Sequence, residues 1–470
     1  MLGLDVLQLP EVIQRARAAQ QTLERYSQAQ IDEAVSAAAW AGYSQASTLA
    51  RLGAEDTGIG NYEDKVQKNR RKILGTLRDL KGAVSVGVIK VDQERGITEI
   101  AKPVGIVAAF TPLTNPGATV IHNIMIALKG GNAIILAPHP KGDRTCAEAV
   151  KAVHRELAKV GAPLDAVQHF SLVTADRALS KQRSQELMQS VDLVLVTGGP
   201  TNVKAAYASG TPALGVGVGN VPVIIDASAE LEDAAEKIAR SKAFDNATSC
   251  SSENSIIVEH TVYDSALRAL AANGGCLLSG GDKSLLQAFM WPGGKLNRSV
   301  VGQPSSLIAK LAGITRPDAL AAKFLMVEED GIGEAFLFSG EKLSPVLTIY
   351  RFQRFEDAVD KVCRILEHQG KGHSCGIHTK NEEHIATLAH AVKAARVLVN
   401  QAHCIGNGGD FANGLDFTLS MGAGTWGGNS TCDNISYKHM LNTTRISRVI
   451  AAVIPTEEQM WGDYLRKYGR

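Results

Sequence analysis

The chain carries almost no net charge. Its 49 Lys and Arg stand against 48 Asp and Glu, which leaves +1 at pH 7. That balance gives no electrostatic basis for nucleic acid or an anionic membrane as the main partner. No apolar run approaches the ~18 residues expected of a membrane-spanning helix. The first residues lack the cationic-then-apolar pattern of a secretory leader, so a cytoplasmic location is expected. No internal repeat or low-complexity tract is present. The seven cysteines, at 146, 250, 276, 363, 375, 404 and 432, are scattered, with no C-x-x-C among them. An odd set without paired spacing argues for reduced thiols, against a disulfide frame or a zinc site. His373, Cys375 and His378 lie close in sequence, but no second cluster accompanies them, and no metal is expected. No strict G-x-G-x-x-G opens a helix, since Gly215-Val-Gly-Val-Gly219 precedes a strand.

What is present is an α/β rhythm. With 470 residues, the length prior is about three domains or two large ones, ample for a substantial core. Residues 5–82 read as helices, from the spacing of Leu23, Ile31, Val35 and Ala39, then Leu49 and Leu52. Gly58-Ile-Gly60 interrupts them, and Asn61 is expected to cap the next helix. Lys68-Asn-Arg-Arg-Lys72 reads as a solvated helix face. Residues 84–92 and 97–102 alternate like two strands of a hairpin. A hairpin outside any βαβ unit would be an unprotected edge, so it is expected to pair with another subunit. From Val104 onward, strands at 104–110, 132–136, 167–173, 191–196 and 221–226 alternate with helices at 119–129, 145–160, 179–189 and 202–208. This is the pattern of a parallel, doubly wound sheet. Pro138-His-Pro-Lys-Gly142 and Thr197-Gly-Gly-Pro200 each follow a strand and precede a helix N-terminus, a setting that favours phosphate. A second α/β stretch follows, with helices at 263–272, 283–289, 304–312 and 355–367 and strands at 323–327, 346–351, 374–379 and 396–400. Glycine-rich loops at 406–414 and 421–429 precede a tail bearing Ile446, Val449, Ile450, Val453 and Ile454.

One thiol stands out between the two α/β stretches. Cys250 sits in a run of small polar residues, after a helix expected at 229–244 with Ser228 as its cap, and before a strand at 255–259. Such a loop suits substrate entry. A cysteine there is either a small buried hydrophobe or, as a thiolate, a nucleophile for carbonyl groups.

These residues together resemble the aldehyde dehydrogenase superfamily, and within it the coenzyme A-acylating branch. The markers run in order along the chain. They are Glu55-Asp-Thr-Gly58 with Asp64-Lys65, Lys102-Pro-Val-Gly-Ile106, Thr114-Asn-Pro116, Ala127-Leu-Lys129 and Ala137-Pro-His-Pro140. The Gly198-Gly199 turn, Thr248-Ser-Cys-Ser-Ser-Glu253 and Trp426-Gly-Gly-Asn-Ser430 complete the series. The resemblance implies an α/β fold with a Rossmann-like cofactor domain (1–83 and 103–227), a catalytic thiol domain (228–429), and an oligomerisation arm with a tail (84–102 and 430–470). It implies Cys250 as nucleophile and Asn115 as an oxyanion-hole residue. A cofactor site is implied at Thr111, Pro112, Pro138, His139 and Pro140, continuing through Thr197, Gly198, Gly199 and Gly217. Glu341, in Glu-Lys-Leu-Ser-Pro345, would hold the nicotinamide ribose, with Pro345 beside it.

Two departures from the hydrolytic branch bear on the reaction. That branch has a glutamate that activates water. Counting back from Pro222, this chain places Val216 there, so water is a poor second nucleophile and coenzyme A is the expected acceptor. Where the hydrolytic branch has a ribose-binding lysine, Ala137 stands here. With Lys141 and Arg144 nearby in sequence, both NAD and NADP remain open. The expected partners are a small aldehyde and coenzyme A, in a homodimer or homotetramer. Asn434-Ile-Ser-Tyr-Lys-His439 points to sulfoacetaldehyde, giving sulfoacetyl-CoA. Acetaldehyde, propanal and other two- to four-carbon aldehydes are the alternatives, and a hydrolytic enzyme making free acid is a further one. His122, seven residues after Asn115, is the residue expected to face a sulfonate.

Overall fold

The computed structural model describes residues 8–469; positions 5–7 of the expected first helix lie outside them. Four helices come first: α1 (Leu9–Leu23), α2 (Gln28–Ser44), α3 (Ala46–Thr57) and α4 (Tyr62–Leu80). Their ends follow capping chemistry. Ser27 and Gln30 form a reciprocal capping box at α2, and the Asn61 side chain accepts from the Asp64 N–H at α4.

Next come β1 (Gly87–Asp92) and β2 (Ile97–Pro103), paired antiparallel. Then β3 (Ile106–Thr111), α5 (Ala118–Lys129), β4 (Ala133–Pro138), α6 (Asp143–Lys159), β5 (Val167–His169), α7 (Arg177–Gln189), β6 (Leu193–Thr197), α8 (Pro200–Tyr207) and β7 (Ala213–Val216) alternate. The five strands form a parallel sheet in the order β5-β4-β3-β6-β7. Every residue of β3 and β4 is buried, as expected when helices cover both faces. Val107 and Ala109 enter one core, and Ile106, Ala108 and Phe110 the other, which is the two-residue alternation of a strand. The chain moves outward from β3 to β5, then returns to β6 on the opposite side. This switch point lies between β3 and β6, and ligands bind outside the carboxyl ends of the strands there.

The second sheet uses β8 (Val221–Ile225), then α9 (Leu231–Ala243), β9 (Glu253–Glu259), β10 (Gly275–Leu277), β11 (Phe324–Glu328), β12 (Val346–Phe352), β13 (Cys375–His378) and β14 (Val397–Val399). Its seven strands are parallel, in the order β10-β11-β12-β9-β8-β13-β14. Finally β15 (Leu441–Ser447) pairs antiparallel with β2.

Several expectations need correction. The strand expected at 221–226 is β8, hydrogen-bonded to β9 and β13, so the cofactor sheet closes at β7 instead of running to residue 227. Strand β7 overlaps the glycine run, which masked its alternation. Ser228 does not cap α9; its hydroxyl donates to Asp226, and the helix begins after Glu230 without a side-chain cap. The hairpin gains a third strand from its own chain, β15, on the β2 side, and among the described residues its β1 edge stays open, so the expectation of pairing with another subunit is left standing. Among the described residues no helix is long and apolar enough to cross a membrane.

Candidate active site

Cys250 lies just before β9, the central strand of the seven-stranded sheet. It shares one cavity, of about 1350 Å³, with Thr111 at the end of β3 and Thr197 at the end of β6. The thiol loop is built on strained backbone. Asp245, Asn246 and Ala247 have φ of 50°, 52° and 56°, and a left-handed non-glycine residue costs about 1–2 kcal/mol. The Asp245 carboxylate offsets that cost. It accepts from the Asn61 N–H at 2.9 Å, from Lys65 at 3.1 Å, from Lys68 at 2.5 Å and from the Thr248 hydroxyl at 2.8 Å. The Asp245 N–H donates to Asp64 at 2.7 Å. The Asp64-Lys65 marker therefore holds the turn that presents the thiol. Gly60 is required beside it, because a Cβ there would stand 2.0 Å from Asp245 Oδ1. Burial works against the Asp245 charge, but Lys68 and Lys65 keep its pKa below the ordinary value.

Lys68 links this loop to Asn115. Its ammonium donates to Asn115 Oδ1 at 2.7 Å as well as to Asp245. With the amide oxygen taken, Asn115 Nδ2 donates weakly to the Thr114 hydroxyl at 3.4 Å and keeps a second N–H for an oxygen bound in the cavity, which both Lys68 and Asn115 line. The expectation that 68–72 is a solvated face is therefore wrong for Lys68, which is 8% exposed. The lysines at 65, 68 and 72 follow i, i+3, i+7 spacing, so one face of α4 turns inward carrying charge.

Glu341 stands on the other side of the thiol and is held differently. Its carboxylate accepts from the Gly219 N–H at 3.2 Å, and burial pushes its pKa up to about 8. Burial, reinforced by Glu341, pushes the Cys250 thiol up to about 12. Gly219 is fixed by contact, since a Cβ there would lie 2.1 Å from the Cys250 carbonyl oxygen. Glu253 pins β9 by accepting from the Ser241 hydroxyl and the His403 N–H, and burial pushes it up to about 7.

Nearly all the residues expected to hold a dinucleotide meet on one crevice. Thr111, Pro112, Pro138, His139, Pro140, Thr197, Gly198, Gly199, Gly217 and Glu341 all line the cavity. At Gly198, Gly199 and Gly217 the space a Cβ would fill is open. Pro345 does not line it; this residue is buried, and its carbonyl accepts from the Leu325 N–H. Val216 is buried in the core, 4% exposed, while Gly217 and Val218 reach the cavity, so no carboxylate stands there. Arg144 is bound to Glu55 and Asp56, and neither it nor Lys141 reaches the cavity. Arg177 and Lys181 of α7 do, and nothing in their spacing signalled it.

His122 is not where the sequence reading put it. Its side chain is fully buried between Thr76 (Nδ1, 2.9 Å) and Thr418 (Nε2, 3.3 Å). Thr418 lines the cavity and His122 does not. Burial, helped by Lys72, lowers its pKa to about 3, so it offers no positive charge to a sulfonate. Trp426-Gly-Gly-Asn-Ser430 is also remote from the chemistry: the Ser430 hydroxyl donates to the Ala213 carbonyl on β7, and Trp426 is exposed.

The aldehyde dehydrogenase family profile matches residues 4–283. The chain belongs to that family, in its acylating branch, and is an oxidoreductase acting on aldehydes. A sulfoacetaldehyde dehydrogenase (acylating) from Cupriavidus necator is 52% identical over 98% of this chain and 92% of its own length. A succinate-semialdehyde dehydrogenase (acetylating) from Clostridium kluyveri is 38% identical over 97% of this chain and 99% of its own. The crystal structure of an acetylating aldehyde dehydrogenase from Geobacillus thermoglucosidasius superposes with a TM-score of 0.90, at 36% identity, over 95% of this chain and 97% of that one. The α/β architecture expected from sequence agrees with that likeness.

Proposed function

We propose that this enzyme converts sulfoacetaldehyde and coenzyme A to sulfoacetyl-CoA, reversibly, with NAD or NADP as oxidant. The observation that carries the chemistry is the placement of Cys250 and the Lys68-held Asn115 on one cavity at the switch point. The choice of aldehyde rests on the 52% identity to the Cupriavidus necator enzyme.

The Cys250 thiol releases its proton to solvent and its sulfur bonds to the aldehyde carbon. The carbonyl oxygen becomes an oxyanion that Asn115 Nδ2 and the Cys250 N–H are suited to receive. A nicotinamide held in the crevice would supply the two-electron chemistry as the acceptor of the hydride that leaves that carbon. What remains on the protein is a thioester at Cys250. The thiol of coenzyme A attacks it, and the Cys250 sulfur leaves and takes up the proton that the coenzyme thiol loses, which restores the free thiol. With Val216 where a water-activating base would stand, the thiol acceptor outcompetes water. Pro138, Gly198 and Gly199 would cradle the cofactor at the helix ends, Glu341 would meet its nicotinamide ribose, and Arg177 and Lys181 would face phosphates of the cofactor or of coenzyme A.

Reduced-nicotinamide absorbance with sulfoacetaldehyde, measured with and without coenzyme A, tests this. Turnover is expected only with coenzyme A, in the parent and not in Cys250→Ser. Equal rates without it, with free acid as product, would overturn the acylating reaction. Seven free thiols fit a reducing, cytoplasmic setting. We also infer an oligomer, because Val449, Val453 and Ile454 stand exposed on the segment after β15. Sedimentation of a protein lacking residues 84–102 would give smaller species; an unaltered assembly would reject the arm.

A further inference from the structure

We propose that the face of α4 carrying Arg71 and Lys72 is the subsite for the anionic group of the aldehyde, with Lys72 as its principal ligand. This rests on the aldehyde reading above and names the part of the cavity that selects the substrate.

The argument begins with charge. Four cations of α4, Lys65, Lys68, Arg71 and Lys72, lie towards the thiol loop and the cavity, and among the described residues Lys72 is the one of them without an ion pair. Asp245 serves Lys65 and Lys68, and Asp410 pairs with Arg71. Lys72 is left with the Gly408 carbonyl, at 2.6 Å, and the ring of Phe417, whose centroid is 5.3 Å away. Arg71 Nε is buried without a hydrogen-bond partner, and its guanidinium lies 5.3 Å from the Phe411 ring. A half-buried ammonium on a cavity wall, held only by a carbonyl and an aromatic ring, is a place where a ligand can bring the missing charge. Burial and the neighbouring Arg71 lower the Lys72 pKa to about 7, as expected of an ammonium lacking its counter-charge.

Position agrees with the charge. Lys72 lies one helical turn, roughly 5 Å along the axis, beyond Lys68. Lys68 touches Asn115, which receives the carbonyl oxygen in the proposed reaction. Lys72 also stands by the thiol loop. Its ammonium holds Gly408, and Met421 beside that glycine accepts from the Ser251 hydroxyl at 3.4 Å. A two-carbon aldehyde with its oxygen at Asn115 therefore carries its sulfonate towards Lys72 and Arg71. Propanal puts a methyl group there and leaves the cations uncompensated. His122, expected from sequence to do this work, is instead a neutral ring behind Thr418.

The test uses the full-length enzyme and Lys72→Gln, which can still donate to the Gly408 carbonyl but carries no charge. One readout is the ratio of kcat/KM for sulfoacetaldehyde to that for propanal. The other is competitive inhibition of propanal oxidation by ethanesulfonate. Lys72→Gln is expected to lower the ratio by about 10–100-fold, the scale of a charge-assisted hydrogen bond, and to weaken ethanesulfonate by a similar factor. Lys72→Arg should restore most of both. A ratio within about twofold of the parent's, or a parent enzyme that ethanesulfonate does not inhibit, overturns the subsite. If Lys72→Gln is not recovered folded, the same two readouts on Arg71→Gln decide, with a smaller fall expected and no fall overturning it. A parent that ethanesulfonate inhibits but that does not oxidise sulfoacetaldehyde keeps the subsite and removes the substrate. The ratio is then read with succinate semialdehyde, whose carboxylate presents the same chemistry, and there too an unchanged ratio overturns the subsite.

Discussion

Asp245 is a fully buried carboxylate and Glu341 a partly exposed one, both beside the same thiol loop, and the protein treats them in opposite ways. Asp245 meets two ammonium groups, a hydroxyl and a backbone N–H, and stays ionised. Among the described residues the Glu341 carboxylate receives one N–H, and burial pushes it up to about 8. The difference teaches what each is for. A paired buried charge fixes geometry, since its removal strands its partners. An unpaired one sits near working pH and can change state. Their pH linkages run in opposite directions. Asp245, lowered on folding, stabilises above its unfolded pKa, and that contribution is lost as pH falls through its folded value. Glu341, raised on folding, costs stability progressively as pH rises from its ordinary 4.5 towards 8.

The largest expected effect lies on the paired side. Asp245→Asn leaves Lys65 and Lys68 buried without their carboxylate and removes the acceptor that holds three left-handed residues. A loss of about 3–5 kcal/mol is expected in denaturant unfolding at pH 7. Glu341→Gln in the same assay should cost nothing at pH 7, because it removes a carboxylate whose ionisation opposes folding, and its relative stabilisation should grow as pH rises towards 8. Equal losses would erase the contrast between the two acids.

Next in size is Lys68→Met. Removing an oxyanion donor outright typically costs ~10²–10³ in rate, and releasing the Asn115 amide should forfeit about 10² of kcat. If Lys68 acts through Asn115, the double variant with Asn115→Ala should be no slower than Asn115→Ala alone. Losses that multiply would show that Lys68 acts independently.

How much of this was legible beforehand follows from what binds each piece. That Cys250 and Asn115 would meet at one cavity could be read because each lies in a short local motif. The strands β3, β4, β6 and β9 could be read because burial on both faces makes them short apolar runs. Lys68 could not, because its partners are 47, 177 and 180 residues away and composition marks a K-N-R-R-K run as solvated. The i, i+3, i+7 lysine spacing was the available signal. It was outweighed by the prior that charge faces water. His122 failed for the converse reason: position after Asn115 gave its helix, but not which side of that helix Thr76 and Thr418 would occupy. The fate of β8 was likewise set by pairing, which the alternation of strands and helices does not encode.

The smallest effect concerns the unpaired acid and the thiol. Burial first, then the Glu341 charge, raises the Cys250 pKa. Glu341→Gln removes only the second cause, so the thiol should drop modestly from about 12 and more thiolate should exist at any given pH. The sign depends on whether Glu341 is ionised in the parent. At pH 6, below its pKa of about 8, parent and variant both carry a neutral side chain there, and iodoacetamide should label Cys250 at nearly equal rates. At pH 9 the parent is ionised and the variant is not, and the variant should label on the order of threefold faster. Mass spectrometry of the Cys250 peptide separates this thiol from Cys404, which lines the same cavity. A rate ratio that stays constant between pH 6 and 9 would mean that the thiol does not feel the carboxylate. Burial alone would then set its reactivity, and Glu341 would be left with the contact to the cofactor ribose proposed for it.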